Sequence, residues 1–545
     1  MALMLVTLLA QQGYRSHAEG GAEKVGIGPR QGGAVTIGWT TDLESVNPLI
    51  SSGNSASREI QAQLFLHLLD EQPDSAQHPP TLLPQLARSY DLSSDHQTIT
   101  FHLRSDVTWS DGVPVTAEDV KWTFDTQKNR LVRWNNAYTK DAIANVEVVD
   151  LHTASFHFLH SYPKQLLDAN EGPILPKHAW RSLPLDQWRG GEAWFRTHLV
   201  VDGPFTIDSW GPGPRFALRR NDRYYNRPWP YLDKVIFVVN PDQSKLTMAV
   251  MSGTIDFTPQ VYPPDVGQIR RDPKLELKNY WHPLVVAIAW NNQRFPFDNP
   301  EVRRALTLAI DRTRIVDSLF GEDSSAEPWG RIATSPIVAS VWAHNWEIKP
   351  LPYDPQAARK ALANQGFSVS DGGATVGRNG PVSFNLATNF GNPPRTTAAG
   401  MIRDQLREVG ILVRPQVTDF NEMLTQVRFG NFDAAIVGLT MDTGLDLTAD
   451  YHSKSIASGE NLARYSNPQA DELMTRVMDY PSMLDQRFRS DILKIQTVID
   501  RDQPYTLLWE SQRLNVVNRR VHDVRPNSGS SLANLDEWWV DSQAK

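Results

Sequence analysis

The sequence predicts an α/β protein built from two or three domains, the first of mixed α+β character. Three observations predict it. A chain of 545 residues exceeds what one hydrophobic core serves, because single cores stop growing near about 250–300 residues. Beyond residue 285, strand-like runs alternate with helical stripes, and Gly410 and Gly430 stand just past two of the helices, as in an α/β unit. Before residue 285, short alternating strands mix with a few helices, which is α+β patterning.

The elements follow in order. Met1 to Ala10 is a short apolar run and Ser16, His17 and Ala18 form a small-x-small site, so a secretory signal cut near Ala18 is expected. No Lys or Arg precedes the run, which fits a start lying inside a longer signal. Gly20 to Gly33 is glycine-rich and reads as a linker into a strand, Ala34 to Trp39. Thr98 to Leu103 alternates polar and apolar, Asp111 and Gly112 supply a turn, and Thr116 is a helix N-cap. Glu118 and Asp119 place negative charge in that helix's first turn, where the helix dipole favours it. Val146–Val149 and Val235–Val239 read as further strands, and Gly172, Pro173, Pro176, Gly190, Gly191, Gly211 and Pro212 mark surface loops or subdomain crossings.

In the second half, Val285 to Trp290 is a continuous apolar run suited to a buried strand. Asp298 or Asn299 caps a helix with Pro300 at its first position and an apolar stripe of Val302, Leu306, Ala309 and Ile310. A helix Thr397–Val409 leads into a strand Ile411–Val417, and a helix Asn421–Phe429 leads into Ala434–Leu439.

Composition excludes several functions. Net charge is −8 and no run of five Lys and Arg occurs, so nucleic acid and anionic membranes are not expected partners. The chain has no cysteine, which removes disulfides, thiolate metal sites, cysteine nucleophiles and a lipid-modified cysteine anchor. No later stretch approaches the roughly 20 apolar residues of a membrane helix. There is no H-E-x-x-H, G-x-S-x-G or Walker-type motif. The glycine pairs Gly26 with Gly28 and Gly211 with Gly213 are isolated, with prolines nearby. His157 and His160 are an odd number apart, so on a strand they face opposite sides and do not converge on one ion. No catalytic residue, metal ligand or cofactor site is therefore expected.

The segment Thr98 to Phe124, TITFHLRSDVTWSDGVPVTAEDVKWTF, carries Phe101, Leu103, Arg104, Trp109, Asp111, Gly112, Thr116, Ala117, Asp119 and Val120 at the spacing of an F-x-L-R, W/F-x-D-G, T-A-x-D-V pattern. In this it resembles the family 5 extracellular solute-binding proteins, the dipeptide- and oligopeptide-binding proteins of ABC importers. Asn47-Pro48-Leu49, Leu83–Tyr90, Asp202–Trp210, Leu218–Tyr225, Ile288–Arg312 and Tyr465–Met474 are similar to further blocks of that family in the same order. The likeness spans residues 32 to 525. It implies a two-lobed, hinged, periplasmic-binding-protein-like fold of the large type. Residues 1–31 would be signal and linker. Residues 32–285 would form lobe 1, with an inserted subdomain at about 76–200 and completed by 511–545, and 286–510 would form lobe 2. The implied role is that of a periplasmic monomer without a lipid anchor, capturing a small-molecule solute, a short peptide, for the transmembrane subunits of an ABC permease.

Ligands of such lobes gather outside the carboxyl ends of the strands, which singles out Asp442, three residues past Ala434–Leu439. In peptide-binding relatives an aspartate in the corresponding loop pairs with the ligand's α-amino group. There the preceding strand ends in glycine and an aromatic, whereas GLTMDTGLD places Leu439 and Thr440 at that point, so Asp446 competes for the role. Arg395 could meet a ligand carboxylate bidentately, against a solvated arginine at a helix start. Trp281, Trp290 and Trp509 could line a cleft, and Trp290 with Asn291 falls at the family's lobe crossing, against the ordinary fate of tryptophan in a core. Oligosaccharides or opines remain alternative solutes within the family, whereas the histidine pattern argues against nickel. An enzyme or ligand sensor built on the same fold is the alternative from another class.

Overall fold

The computed structural model describes residues 28–51, 54–211, 213–321 and 328–541. The expected signal segment and most of the linker lie outside the described residues.

A sheet of eleven strands organises the molecule. Its order is Leu412–Thr418, Ser383–Asn389, Ala434–Thr440, Leu275–Trp290, Tyr505–Asn518, Phe257–Thr258, Ala34–Trp39, Lys234–Val239, Arg215–Arg220 and Phe205–Trp210, with Gly330–Ile332 pairing separately onto Tyr505–Asn518. Two strands stand out by length. Leu275–Trp290 has 16 residues and Tyr505–Asn518 has 14, and they run antiparallel through the middle of the sheet. Their register shifts between Trp281 and Val285, with Pro283 inside the irregular stretch. Pro283 has no N–H to give a ladder, and the extra residues interrupt the regular pairing there.

The apolar run Val285–Trp290 is buried on both faces because it feeds two cores. Val286, Ile288 and Trp290 join one apolar cluster, while Val285, Ala287 and Ala289 join another. The neighbouring strand splits the same way, with Ala434 and Ile436 on one side and Ala435, Val437 and Leu439 on the other. Side chains alternate across a strand, so a strand covered on both faces must be apolar at every position. Helices Pro300–Leu308 and Pro393–Glu408 cover one face, and Gln486–Asp502 contributes Phe488, Ile492 and Ile495 to the other.

The first lobe has its own core. Trp109, Trp180, Trp188 and Trp538 are fully buried in it, with Trp180, Trp188 and Phe195 in edge contact at ring separations of 4.8–6.1 Å. A four-stranded antiparallel sheet, Ala87–Leu92, Thr98–Leu103, Thr153–Phe158 and Ile143–Asp150, forms a separate layer within residues 76–200. Residue 285 marks no break in packing: Leu246, Val250, Val266 and Ile269 share a cluster with Trp290 and Phe384, because the sheet runs on through the hinge.

The local readings locate most elements. Ala34–Trp39 and Thr98–Leu103 are strands with those bounds. The helix after Thr116 spans Ala117–Gln127, and the Asp119 carboxylate accepts from the Thr116 N–H at 2.9 Å and hydroxyl at 3.2 Å. Asn299, and not Asp298, caps Pro300–Leu308 by accepting from the Glu301 N–H. The helix expected from Thr397 begins four residues earlier, at Pro393, because Asn392 caps it and two prolines fit a first helical turn that lacks intrahelical donors.

Candidate functional site

Ser383–Asn389 and Ala434–Thr440 are parallel neighbours, so their carboxyl ends open on the same edge of the second lobe. Each delivers charged side chains there. The helix after the first carries Arg395, and the loop after the second carries Asp442 and Asp446.

Arg395 is buried, at 9 % exposure. One guanidinium nitrogen donates to Asn389 Oδ1 at 3.2 Å, while Nε has no partner. Among the described residues no carboxylate pairs with it, and burial pushes its pKa down. The guanidinium lies against Gly438, where a Cβ would come within 2.6 Å of it. Gly438 is what lets a bulky cation rest on the strand. A buried cation held by one amide has unused donors, which an incoming carboxylate could accept from.

Asp442 faces the other lobe. Lys164 Nζ stands 3.0 Å from Asp442 Oδ2 and 3.8 Å from Asp446 Oδ2. The Lys164 side chain is 9 % exposed, Asp442 46 % and Asp446 27 %. Burial opposes the charge on Lys164, but Asp442, Asp168 and Asp446 together hold its pKa above the ordinary lysine value. The loop wraps the lysine closely: a Cβ on Gly444 would come 2.6 Å from Lys164 Cε and 2.9 Å from Asp442 Oδ1. Below it, burial pushes the Asp168 carboxyl up to about 6 against the opposing pull of Lys164, the Tyr162 hydroxyl at 2.9 Å and Lys140. One further contact joins the lobes nearby: the Trp342 backbone N–H donates to the Ser75 carbonyl at 2.8 Å. The lobes of this structure are closed on each other.

The other expected residues fall elsewhere. Trp290 is fully buried in the second lobe, stacked on Phe297 with ring centroids 5.1 Å apart and donating from Nε1 to Thr506 Oγ1 at 2.9 Å. It is a core residue and lines no cleft, since it sits on the strand stretch covered on both faces. Asn291 is buried beside it, its amide donating to the Gly430 and Phe432 carbonyls, at the end of the strand remote from Asp442. Trp509 is also core, in edge contact with Phe320. Trp281 lies at the hinge irregularity with the Arg331 guanidinium 3.8 Å over its ring. Arg331 in turn donates to the buried Glu510 at 3.0 and 2.6 Å. Lys164 was not anticipated. It is 278 residues from Asp442 in sequence, and only the fold brings them together.

Residues 81–455 match the family described as bacterial extracellular solute-binding proteins, family 5 Middle. The chain belongs to that family. Among family 5 relatives, the oligopeptide-binding protein AppA of Bacillus subtilis is 26% identical over 551 residues, covering 99% of this chain and 97% of the relative. The di/tripeptide-binding protein 1 of Pseudomonas aeruginosa is 25% identical over 82% of this chain and 83% of its own length. The solved structure of the Bacillus subtilis protein in complex with a nonapeptide superposes with a TM-score of 0.80 at 26% identity, covering 94% of this chain and 100% of that one. The Campylobacter jejuni NikZ structure, in complex with Ni(L-His), has a TM-score of 0.79 at 19% identity, covering 93% of this chain and 99% of its own, a likeness of fold. The family 5 fold is thus two-lobed, and among the described residues no helix is long and apolar enough to cross a membrane.

Proposed function

We propose that this family 5 protein is the periplasmic binding component of an ABC importer, closing as a monomer over a short peptide and presenting it unchanged to the permease. Residues 32–285 with 511–545 serve as one jaw and 286–510 as the other. One observation carries the peptide reading: a carboxylate already holding an ammonium, Asp442, and an unpaired buried guanidinium, Arg395, stand at the carboxyl ends of two adjacent parallel strands. Opposite charges so placed match the two ends of a zwitterion. Gly438, under Arg395, is four residues from Asp442, so the chain between them spans at most about 14 Å, the length of a peptide of up to about four residues.

Asp442, with Asp446 beside it, takes the ligand's α-amino group. Arg395 takes its carboxylate in the bidentate geometry that guanidinium favours. Trp281, on the hinge, sets the floor. Closure follows because the ligand touches both lobes only in the closed state, and it shifts the equilibrium by that difference in affinity. The names and complexes of the relatives support the same ligand class.

The test is native mass spectrometry for a co-purified ligand, followed by thermal shift against di- to pentapeptides. A peptide at about 100 times its dissociation constant adds about 2.7 kcal/mol. Asp442→Asn should abolish the response to peptides with a free amino end. A response to oligosaccharides with none to any peptide would overturn the reading.

A further inference from the structure

Lys164 belongs to the first lobe, between the strand Thr153–Phe158 and the helix Gln165–Asn170, whereas Asp442 and Asp446 belong to the second. We propose that Lys164 is a specificity residue acting as a resident competitor. Its ammonium occupies the Asp442–Asp446 carboxylate pair across the closed cleft, and a ligand is admitted by offering a cationic amine that takes its place. The inference rests on Asp442 as the ligand's amine partner and adds what stands there beforehand.

Four features support it. The chemistry is the same, since a lysine Nζ and a peptide α-amino group are both primary ammonium ions seeking a carboxylate at about 2.7–2.9 Å. The place is built for a cation, because the loop narrows at Gly444 to fit the lysine stem. The bond exists only when the lobes meet, so it favours the closed state without any ligand. Asp442 is also 46 % exposed, so Lys164 leaves part of the carboxylate free for an incoming amine to meet as the lobes part.

The consequence is selection. A tethered group acts at an effective concentration on the order of millimolar, and the apparent affinity of a ligand falls by the fraction of molecules already latched. A solute without a cationic amine has nothing to exchange for Lys164. The site thus discriminates against N-blocked peptides and neutral sugars by more than the lost contact alone.

Lys164→Gln and Lys164→Arg separate this from a structural role. After ligand is stripped by unfolding and refolding, small-angle scattering compares each variant with the parent. Calorimetry then measures trialanine and N-acetyl-trialanine. Lys164→Gln should enlarge the radius of gyration, bind trialanine about tenfold tighter, and bind N-acetyl-trialanine tighter by a larger factor, because no ammonium is left to displace. Lys164→Arg should keep the parent's compactness. An unchanged radius of gyration in Lys164→Gln, or trialanine bound equally or more weakly, overturns the proposal. If trialanine binds neither parent nor variant, the peptide reading falls, and the latch stands or falls on scattering, which needs no ligand.

Discussion

Arg395 is buried with one amide partner, an unpartnered Nε and no carboxylate. A buried cation so poorly compensated contributes little to stability, and its replacement by an apolar side chain of similar length is often neutral. Arg395→Met should therefore change unfolding free energy by no more than about 1 kcal/mol. It should also erase the preference for peptides with a free carboxylate over their amides, a loss of about tenfold or more. Urea melts and calorimetry on the two peptide forms check both halves, and a large loss of stability would mark Arg395 as structural. His282 offers a second test at this scale. Burial first, and then Arg513 and Arg58, push its pKa down to about 3, and its Nε2 lies 3.0 Å from an Arg513 nitrogen that can only donate. Unfolded histidine titrates near about 6.5. Between those values the unfolded chain binds more protons, so this group's stability is present above about 6.5 and is lost as pH falls toward 3. His282→Gln keeps an acceptor for Arg513 and removes the titration. The stability gap between parent and variant should shrink steadily in melts from pH 7 to pH 4, and a constant gap refutes the assignment.

At the scale of elements, the two long strands decide how the lobes are joined. Arg331 donates twice to Glu510, whose carboxylate also accepts from the Ala339 N–H, so the strand Tyr505–Asn518 is clamped to two segments of the second lobe. Glu510 is 1 % exposed. Glu510→Gln leaves Arg331 without its counter-charge and should cost about 2–4 kcal/mol, read as a lower urea midpoint with an unchanged slope. Elements with a strong local signal were legible in sequence. Thr98–Leu103 alternates, and Ala34–Trp39 is bounded by glycine; both hold their expected bounds. Pro393–Glu408 was read short because its two prolines look like a loop until Asn392 is seen to cap them. That error mattered, since it left Arg395 outside the helix and made a solvated arginine plausible. Trp290 was misplaced for a related reason: a continuous apolar run shows that a strand is covered on both faces, but not that its last residue lies far from the cleft.

For the whole molecule, the proposed site depends on closure, and the contact between the lobes brings together residues that no sequence spacing relates. Asp442 could be singled out because it follows a strand whose carboxyl end opens on the edge where ligands of such lobes gather. Its partner Lys164 could not, because a lone lysine after Tyr162 and Pro163 carries no mark of the loop it meets across the cleft. The same contacts supply a direct test of movement. A backbone hydrogen bond of 2.8 Å joins Trp342 to Ser75 across the lobes. A bond of this length holds the two backbones close together, and a disulfide needs Cα atoms roughly 4.4–6.8 Å apart. The chain has no cysteine of its own, so Ser75→Cys with Trp342→Cys offers one possible bridge. If the lobes must part for a peptide to enter or leave, the oxidised variant should exchange bound peptide at least about a hundredfold more slowly than the reduced one, and reduction should restore the parent rate. Formation of the bridge with exchange unaffected would mean that ligand reaches the site without the lobes opening, and a hinged jaw would be the wrong description of this molecule.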